Sequence, residues 1–202
     1  MKNGLIIFQK NAVRGHVKTR IAATVGDDRA LEIYNWLTAY THRIAREVKV
    51  NKYLFYSDFI PDPSELDHQE YYVELQSGSD LGERMRNAFK QLFEDGYSSV
   101  VIIGTDCAEL KVSDLNAAYR TLSHSDLVIG PASDGGYYLL GMSQYHPELF
   151  TQIPWSTDKV LELTLEVANN AGLNYEVLEI RSDIDTFEDW QNFSSSKKVE
   201  HG

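Results

Sequence analysis

The sequence predicts an α/β protein, a three-layer α/β/α unit built around one mostly parallel, mixed sheet. Short apolar runs such as Val100-Val101-Ile102-Ile103 alternate with segments whose apolar residues recur every three or four positions. These runs are apolar throughout instead of alternating with polar residues, which is the pattern of strands covered on both faces. With 202 residues, 43% of them hydrophobic and 24% charged, the chain has the composition of one globular domain. A chain of this size buries about 70% of its unfolded surface and needs no disulfide or structural metal to fold.

The first strand is expected at Leu5 to Phe8, followed by a polar loop. Ala30, Ile33, Tyr34, Leu37, Ile44 and Val48 then mark a helix over residues 27 to about 47, with Asp27 and Asp28 at its positive end. Tyr53 to Tyr56 and Tyr72 to Leu75 read as strands. The connection between them, Asp58-Phe59-Ile60-Pro61-Asp62-Pro63, holds two prolines that forbid a helix. Asp80-x-x-Glu83 has the form of a capping box, and Leu81, Met85, Ala88 and Leu92 fall on one face of the helix it opens. The Val100–Ile103 strand and a helix from about Ser113 come next. Strands Leu127 to Gly130 and Tyr137 to Met142 flank Asp134-Gly135-Gly136. A helix from about Thr157 to Ala171 stops at Gly172, a strand runs from Tyr175 to Ile180, and Thr186-x-x-Asp189 caps a last short helix. One domain is expected over residues 1–193, with a polar, frayed tail over 194–202.

The formal net charge is -11, from 19 basic and 30 acidic side chains. Such acidity excludes a general nucleic-acid binder, which depends on a broad basic face. No stretch approaches the ~20 apolar residues of a membrane span, and the N-terminus lacks the pattern of a signal peptide. The single cysteine, Cys107, fits a reducing compartment, so a soluble cytoplasmic protein is expected. The charge is also uneven. Residues 58 to 80 hold seven acids and no Lys or Arg, whereas the loop after the first strand holds Lys10, Arg14, Lys18 and Arg20 and no acid.

That loop lies where α/β sheets bind phosphates, at the carboxyl end of a strand, and Gly15 would let its backbone approach an anion. A solvated basic surface explains its composition equally well, and the spacing of a P-loop is absent. Asp106 ends the most apolar strand within Gly104-Thr105-Asp106. An acid there faces the ligand crevice and could hold Mg²⁺ against phosphates, and the next helix starts too late for a simple cap. Asp183 and Asp185 share one side of an extended segment and could face the same cation, although both could equally dress the helix that follows. Gly135 and Gly136 suit a ligand lying over the chain or a hairpin turn, and Trp155 offers an aromatic wall or a core residue. The carboxylate beside Cys107 would raise its pKa, which argues against a nucleophile.

Jointly, several blocks resemble the nucleotide-diphospho-sugar transferase superfamily with its glycosyltransferase-A-type fold. They are Val17-Lys18-Thr19-Arg20, Asp80-Leu81-Gly82-Glu83-Arg84-Met85, Gly104-Thr105-Asp106-Cys107, Gly130-Pro131-Ala132-x-Asp134-Gly135-Gly136-Tyr137-Tyr138, Trp155-Ser156-Thr157 and Asp183-Ile184-Asp185-Thr186. More closely, the chain is similar to the small bacterial "transferase 1" group, which is glycosyltransferase-like and related to phospholactate guanylyltransferases. The likeness runs from Leu5 to Trp190, and Ala12, Arg14 and Ala108 depart from the usual pattern.

The resemblance implies that Lys18 and Arg20 hold phosphates and that Asp106, with Asp185 or Asp183, binds Mg²⁺ or Mn²⁺. It places Asp80, Leu81, Gly82 and Arg84 along the nucleotide, and Asp134, Gly135, Gly136 and Tyr137 near the acceptor or sugar; Lys10 and Gly15 of the basic loop and the Trp155 ring are further candidate substrate contacts on residue type alone. The expected activity is metal-dependent nucleotidyl transfer from a nucleoside triphosphate to a small phosphorylated or carboxylated acceptor, with release of pyrophosphate. The alternative is glycosyl transfer from a nucleotide sugar, and a non-catalytic nucleotide sensor is a third reading. A haloacid-dehalogenase-type phosphatase is rejected, because only 17 residues follow Asp185.

Overall fold

The structure, a computed structural model, describes residues 2–62 and 70–199. In chain order the elements are β1 (Asn3–Gln9), α1 (Thr19–Val25), α2 (Asp27–Arg46), β2 (Asn51–Tyr56), β3 (Tyr71–Leu75), α3 (Leu81–Glu94) and β4 (Ser99–Ile103). There follow α4 (Val112–Thr121), β5 (Leu127–Pro131), β6 (Tyr137–Met142), α5 (Val160–Asn170), β7 (Tyr175–Val177) and α6 (Phe187–Val199), with a short 3₁₀ turn at Pro147–Phe150. The strands form one sheet in the order β3-β2-β1-β4-β6-β5-β7. All neighbours are parallel except β6, which runs antiparallel to both β4 and β5. The mixed, mostly parallel α/β architecture is therefore as expected.

Pleating sends alternate residues to opposite faces. Leu5, Ile7, Leu54, Val101 and Ile103 pack with Ile44 of α2 and Leu115 of α4. Ile6, Phe55, Val100 and Ile102 pack with Phe89 and Leu92 of α3 and Ala168 of α5. A smaller core of Ile21, Ile33, Leu37, Ala108 and Ile184 joins α1 and α2 to the segment before α6. Among the described residues, no helix is long and apolar enough to cross a membrane.

Four local expectations change. The loop after β1 contains α1, whose Ile21 is fully buried against α2. Helix α5 begins at Val160 instead of Thr157, because the Thr157 hydroxyl donates to the Pro154 carbonyl at 2.7 Å and accepts from Lys159 N at 3.3 Å, closing a turn. Strand β7 ends at Val177, short of Ile180. The register of β5 shifts at Gly130/Pro131, and Ile180 is left exposed while Arg181 N rejoins Pro131 O at 3.0 Å. The tail expected to fray from Ser194 is instead helical through Val199. Trp190 and Phe193 both stack edge-on to Trp36 of α2, with ring centroids 5.2 and 5.5 Å away, and this anchors α6.

Candidate active site

The carboxyl ends of β1 and β4 open into a cleft with two compartments. The inner one has a volume of about 510 Å³ and the outer one about 610 Å³. Lys10, Tyr34, Met85, Asp106, Tyr137 and Asp183 are among the residues that line both. Phe8, Leu81, Met85 and Ile102 give the inner compartment apolar walls, and Gln9, Ser57, Gln76, Asp80 and Arg84 add polar ones. The outer compartment gathers Lys18, Arg20, Asp134, Trp155, Asp158 and Asp185.

Local structure explains these placements. Asp80 caps α3 by accepting from Glu83 N at 2.8 Å. The Glu83 carboxylate returns to Ser79, accepting from its N and its Oγ at 2.7 Å each, so the expected box is displaced by one residue. Arg84 is fixed by donating to Gly78 O at 3.2 Å, and its Nη1 reaches Gln76 Oε1 at 3.5 Å. The second acidic segment meets the first through the backbone. Ile184 N donates to Asp106 O at 3.0 Å, and Cys107 bridges Asp183 in antiparallel fashion. Asp183 and Asp185 thereby stand beside Asp106, although 77 residues separate Asp183 from it in sequence.

Lys18 lies at the centre of this cluster. Its side chain is only 6% exposed, and its ammonium is 2.7 Å from Asp106 Oδ1 and 3.6 Å from Asp185 Oδ1. The same ammonium donates to Ile184 O at 2.6 Å. Lys18 therefore holds carboxylates here, where a grip on phosphates is expected. Arg20, largely exposed, stands 3.8 Å from Asp185 Oδ2. Burial, and then the charge of Asp106, push the Asp183 carboxyl up to about 7. Its Oδ1 is enclosed with no hydrogen-bond partner among the described residues. An enclosed, unpartnered carboxylate oxygen beside two further carboxylates has the chemistry of a site for a hard cation. Among the described residues, however, no group of three or more His, Cys, Asp or Glu side chains is placed to hold a metal ion.

Several expected residues are placed otherwise. Gly15 lines neither compartment. It takes a φ of 78° in a turn closed by His16 N to Val13 O at 3.0 Å, beside the Asp27 carboxylate. Arg14, counted in the basic loop, donates to Asp28 Oδ1 at 2.6 Å and lies 3.5 Å from Asp27 Oδ2, so it is drawn away to the start of α2. Gly82 supports the cleft from beneath, since a Cβ there would overlap the Trp155 indole. Gly135, with a φ of 89°, packs against the Asp158 backbone, and the Asp134 carboxylate accepts from Gly136 N at 3.0 Å. The β5–β6 segment is thus a hairpin turn, and Asp134 and Gly136 still line the outer compartment. Cys107 is pushed up to about 12 by burial first and by Asp183 second, which makes it inert; the neighbouring Asp106 is not the cause.

Sequence reasoning missed Tyr34, Gln9 and the backbone of Ser156. Tyr34 reads as a core residue by its spacing, yet its hydroxyl donates to Lys10 O at 2.6 Å and it walls both compartments. Gln9, at the end of β1, is bonded through Oε1 to His42 Nε2 at 2.8 Å, and His42 Nδ1 meets the Tyr71 hydroxyl at 3.0 Å. Burial lowers His42 to about 4. Lys18 and Ser156 are two of three non-glycine residues with positive φ among those described, at 48° and 65°. Both line the cleft, and no sequence signal marks either conformation.

The family described as "Uncharacterized protein conserved in bacteria (DUF2064)" matches residues 40–157. A crystal structure described as a "putative nucleotide-diphospho-sugar transferase" from Desulfovibrio desulfuricans G20 superposes with a TM-score of 0.85. It is 32% identical over 92% of this chain and 84% of its own. CMP:2-keto-3-deoxy-manno-octonic acid synthetase complexed with CTP superposes at 0.61, with 10% identity and coverage of 99% and 100%. Rv0371c from Mycobacterium tuberculosis H37Rv, in complex with manganese, superposes at 0.57, with 12% identity and coverage of 95% and 97%. These last two likenesses speak for the fold alone. No curated protein matches the sequence. Given the family match across more than half of its length and a 32% identical relative aligned over most of both chains, the chain belongs to the bacterial DUF2064 family, within the nucleotide-diphospho-sugar transferase superfamily.

Proposed function

We propose that this transferase moves a nucleoside monophosphate from a nucleoside triphosphate to a small acceptor and releases pyrophosphate. The observation that carries this reading is the two-compartment cleft with Lys18, Arg20, Asp106, Asp183 and Asp185 along its junction and outer wall. The inner compartment, apolar on Phe8, Leu81 and Met85 with Gln9, Gln76 and Arg84 at its edge, suits a planar base. The outer one, with the Trp155 indole and the cations Lys18 and Arg20 on its wall, suits the phosphate tail and the acceptor. An oxygen of the acceptor attacks the α-phosphorus, a new P–O bond forms, and the bond from the α-phosphorus to the bridging oxygen breaks. That electron pair leaves with pyrophosphate. An acceptor that is already ionised needs no general base. Lys18 and Arg20 orient the triphosphate tail, and Lys10, which lines both compartments, adds a third cation.

A divalent cation, Mg²⁺ or Mn²⁺, would be held by Asp106 with Asp183 or Asp185 and would neutralise the phosphates and the charge growing on the leaving group. The enclosed Asp183 oxygen supports a cation shared between carboxylates and nucleotide. Asp106→Asn is expected to lower kcat by roughly 10²-fold or more, as loss of a main electrostatic contact does. Turnover that is unchanged in this variant, or in EDTA, would count against the assignment.

The relative from Desulfovibrio desulfuricans, by its description, favours a second reading in which a sugar is transferred from a nucleotide-diphospho-sugar. Labelled nucleoside triphosphates and nucleotide sugars, offered with pooled small acceptors, separate the two. Release of pyrophosphate supports nucleotidyl transfer, and release of a nucleoside diphosphate supports glycosyl transfer.

A further inference from the structure

The Lys18 ammonium has three N–H donors, and three oxygens already surround it: Asp106 Oδ1 at 2.7 Å, Ile184 O at 2.6 Å and Asp185 Oδ1 at 3.6 Å. With a side chain only 6% exposed, the ammonium is enclosed among these oxygens, hydrogen-bonded to Ile184 O and ion-paired with the two carboxylates. Lys18 occupies the left-handed region at the entrance to α1, with its carbonyl accepting from Ala22 N at 2.9 Å. Only the flexible four-carbon stem can move. A divalent cation approaching Asp106 and Asp185 also meets an ammonium already seated on both of them.

We propose that Lys18 is an internal counter-ion that excludes free divalent metal from the cleft and is drawn off by the phosphates of an incoming nucleotide. This rests on the metal-dependent reading given above. The ammonium and the metal compete for the same two carboxylates, so metal alone binds poorly. A polyphosphate offers Lys18 new acceptors, and its transfer to them leaves Asp106 and Asp185 open. Metal and nucleotide then each tighten the binding of the other by the same factor. The enclosed Asp183 oxygen, which has no hydrogen-bond partner among the described residues, stays beside the carboxylates so vacated. Cation occupancy is thereby tied to the presence of nucleotide.

Titration of Mn²⁺ alone into nucleotide-free protein, with the free ion followed by electron paramagnetic resonance, tests this directly. Lys18→Met keeps the stem and removes the charge. It should bind Mn²⁺ roughly tenfold tighter than the wild type, or more. Adding Asp106→Asn to that variant should abolish the gain. Should Lys18→Met fail to fold, Lys18→Gln makes the same comparison. Equal or weaker Mn²⁺ binding by the folded variant overturns the proposal, and so does no binding at all. The metal dependence of turnover decides separately whether the broader metal reading falls with it.

Discussion

Asp183 illustrates how one side chain can set stability against function. Its carboxyl lies near 7 in the fold, pushed up by burial and by Asp106, and near 3.8 in the unfolded chain. Because the folded state holds the proton more tightly, stability is full below pH ~4 and is lost as pH rises through 7. Asp183→Asn removes this loss. In EDTA at pH 8 it should raise stability by at least ~1 kcal/mol, which is roughly 2–4 °C in Tm for a domain of this size. The gain should shrink as pH falls from 7 towards 4. Thermal melts across that range check it, and a gain that does not depend on pH would assign the effect to something other than ionisation. The same substitution should weaken Mn²⁺ binding, so the carboxylate is kept at a cost to the fold.

At the scale of elements, the start of α3 and the segment around Trp155 form one unit. The indole lies over Gly82, where any Cβ would overlap it. Gly82→Ala is expected to displace Trp155, destabilise the fold by ~1–3 kcal/mol and weaken nucleotide binding through the cleft wall. Urea unfolding and calorimetric titration would measure the two effects, and a neutral result would remove Trp155 as a fixed wall. Much of this was legible in advance. The β-branched runs announced β4 and β5, Asp80-x-x-Glu83 announced the start of α3, and Thr186-x-x-Asp189 announced that of α6, where Asp189 Oδ2 accepts from Thr186 N at 2.7 Å. What was not legible depends on contacts between distant segments. Nothing near Ser194 signals that Trp190 and Phe193 will find Trp36 and carry the helix onward. Residue types likewise marked Lys18 and Asp106 as chemistry-bearing, but their pairing depends on the 183–185 segment returning to the end of β4. Tyr34 was hidden by its own amphipathic placement, an apolar ring on a core face with a hydroxyl at the cleft.

For the whole molecule, the charge of -11 acts against its own ligand. Of the four cations in the basic loop, Arg14 is spent on Asp27 and Asp28 and Lys18 on Asp106 and Asp185, so little local attraction offsets the global repulsion of an anionic nucleotide. Raising ionic strength from about 0.01 M to 0.15 M shortens the screening length from roughly 30 Å to 8 Å and should therefore speed nucleotide association. Stopped-flow measurement checks the sign, and slowing by salt would mean that the cleft attracts at long range after all. The strand order has a further consequence, for synthesis. β3, β2, β1 and β4 are contiguous in space and all lie before residue 104, so four of the seven strands can assemble while the rest of the chain is still unmade. The exposed side of β4 is then filled by β6, which arrives antiparallel with Met142 opposite Val100. At ribosomal rates of ~5–20 residues per second, the interval between the two strands lasts roughly 2–8 s. For those seconds the most apolar strand of the protein presents an unpaired edge, which makes the nascent chain, more than the finished enzyme, the state in need of a chaperone.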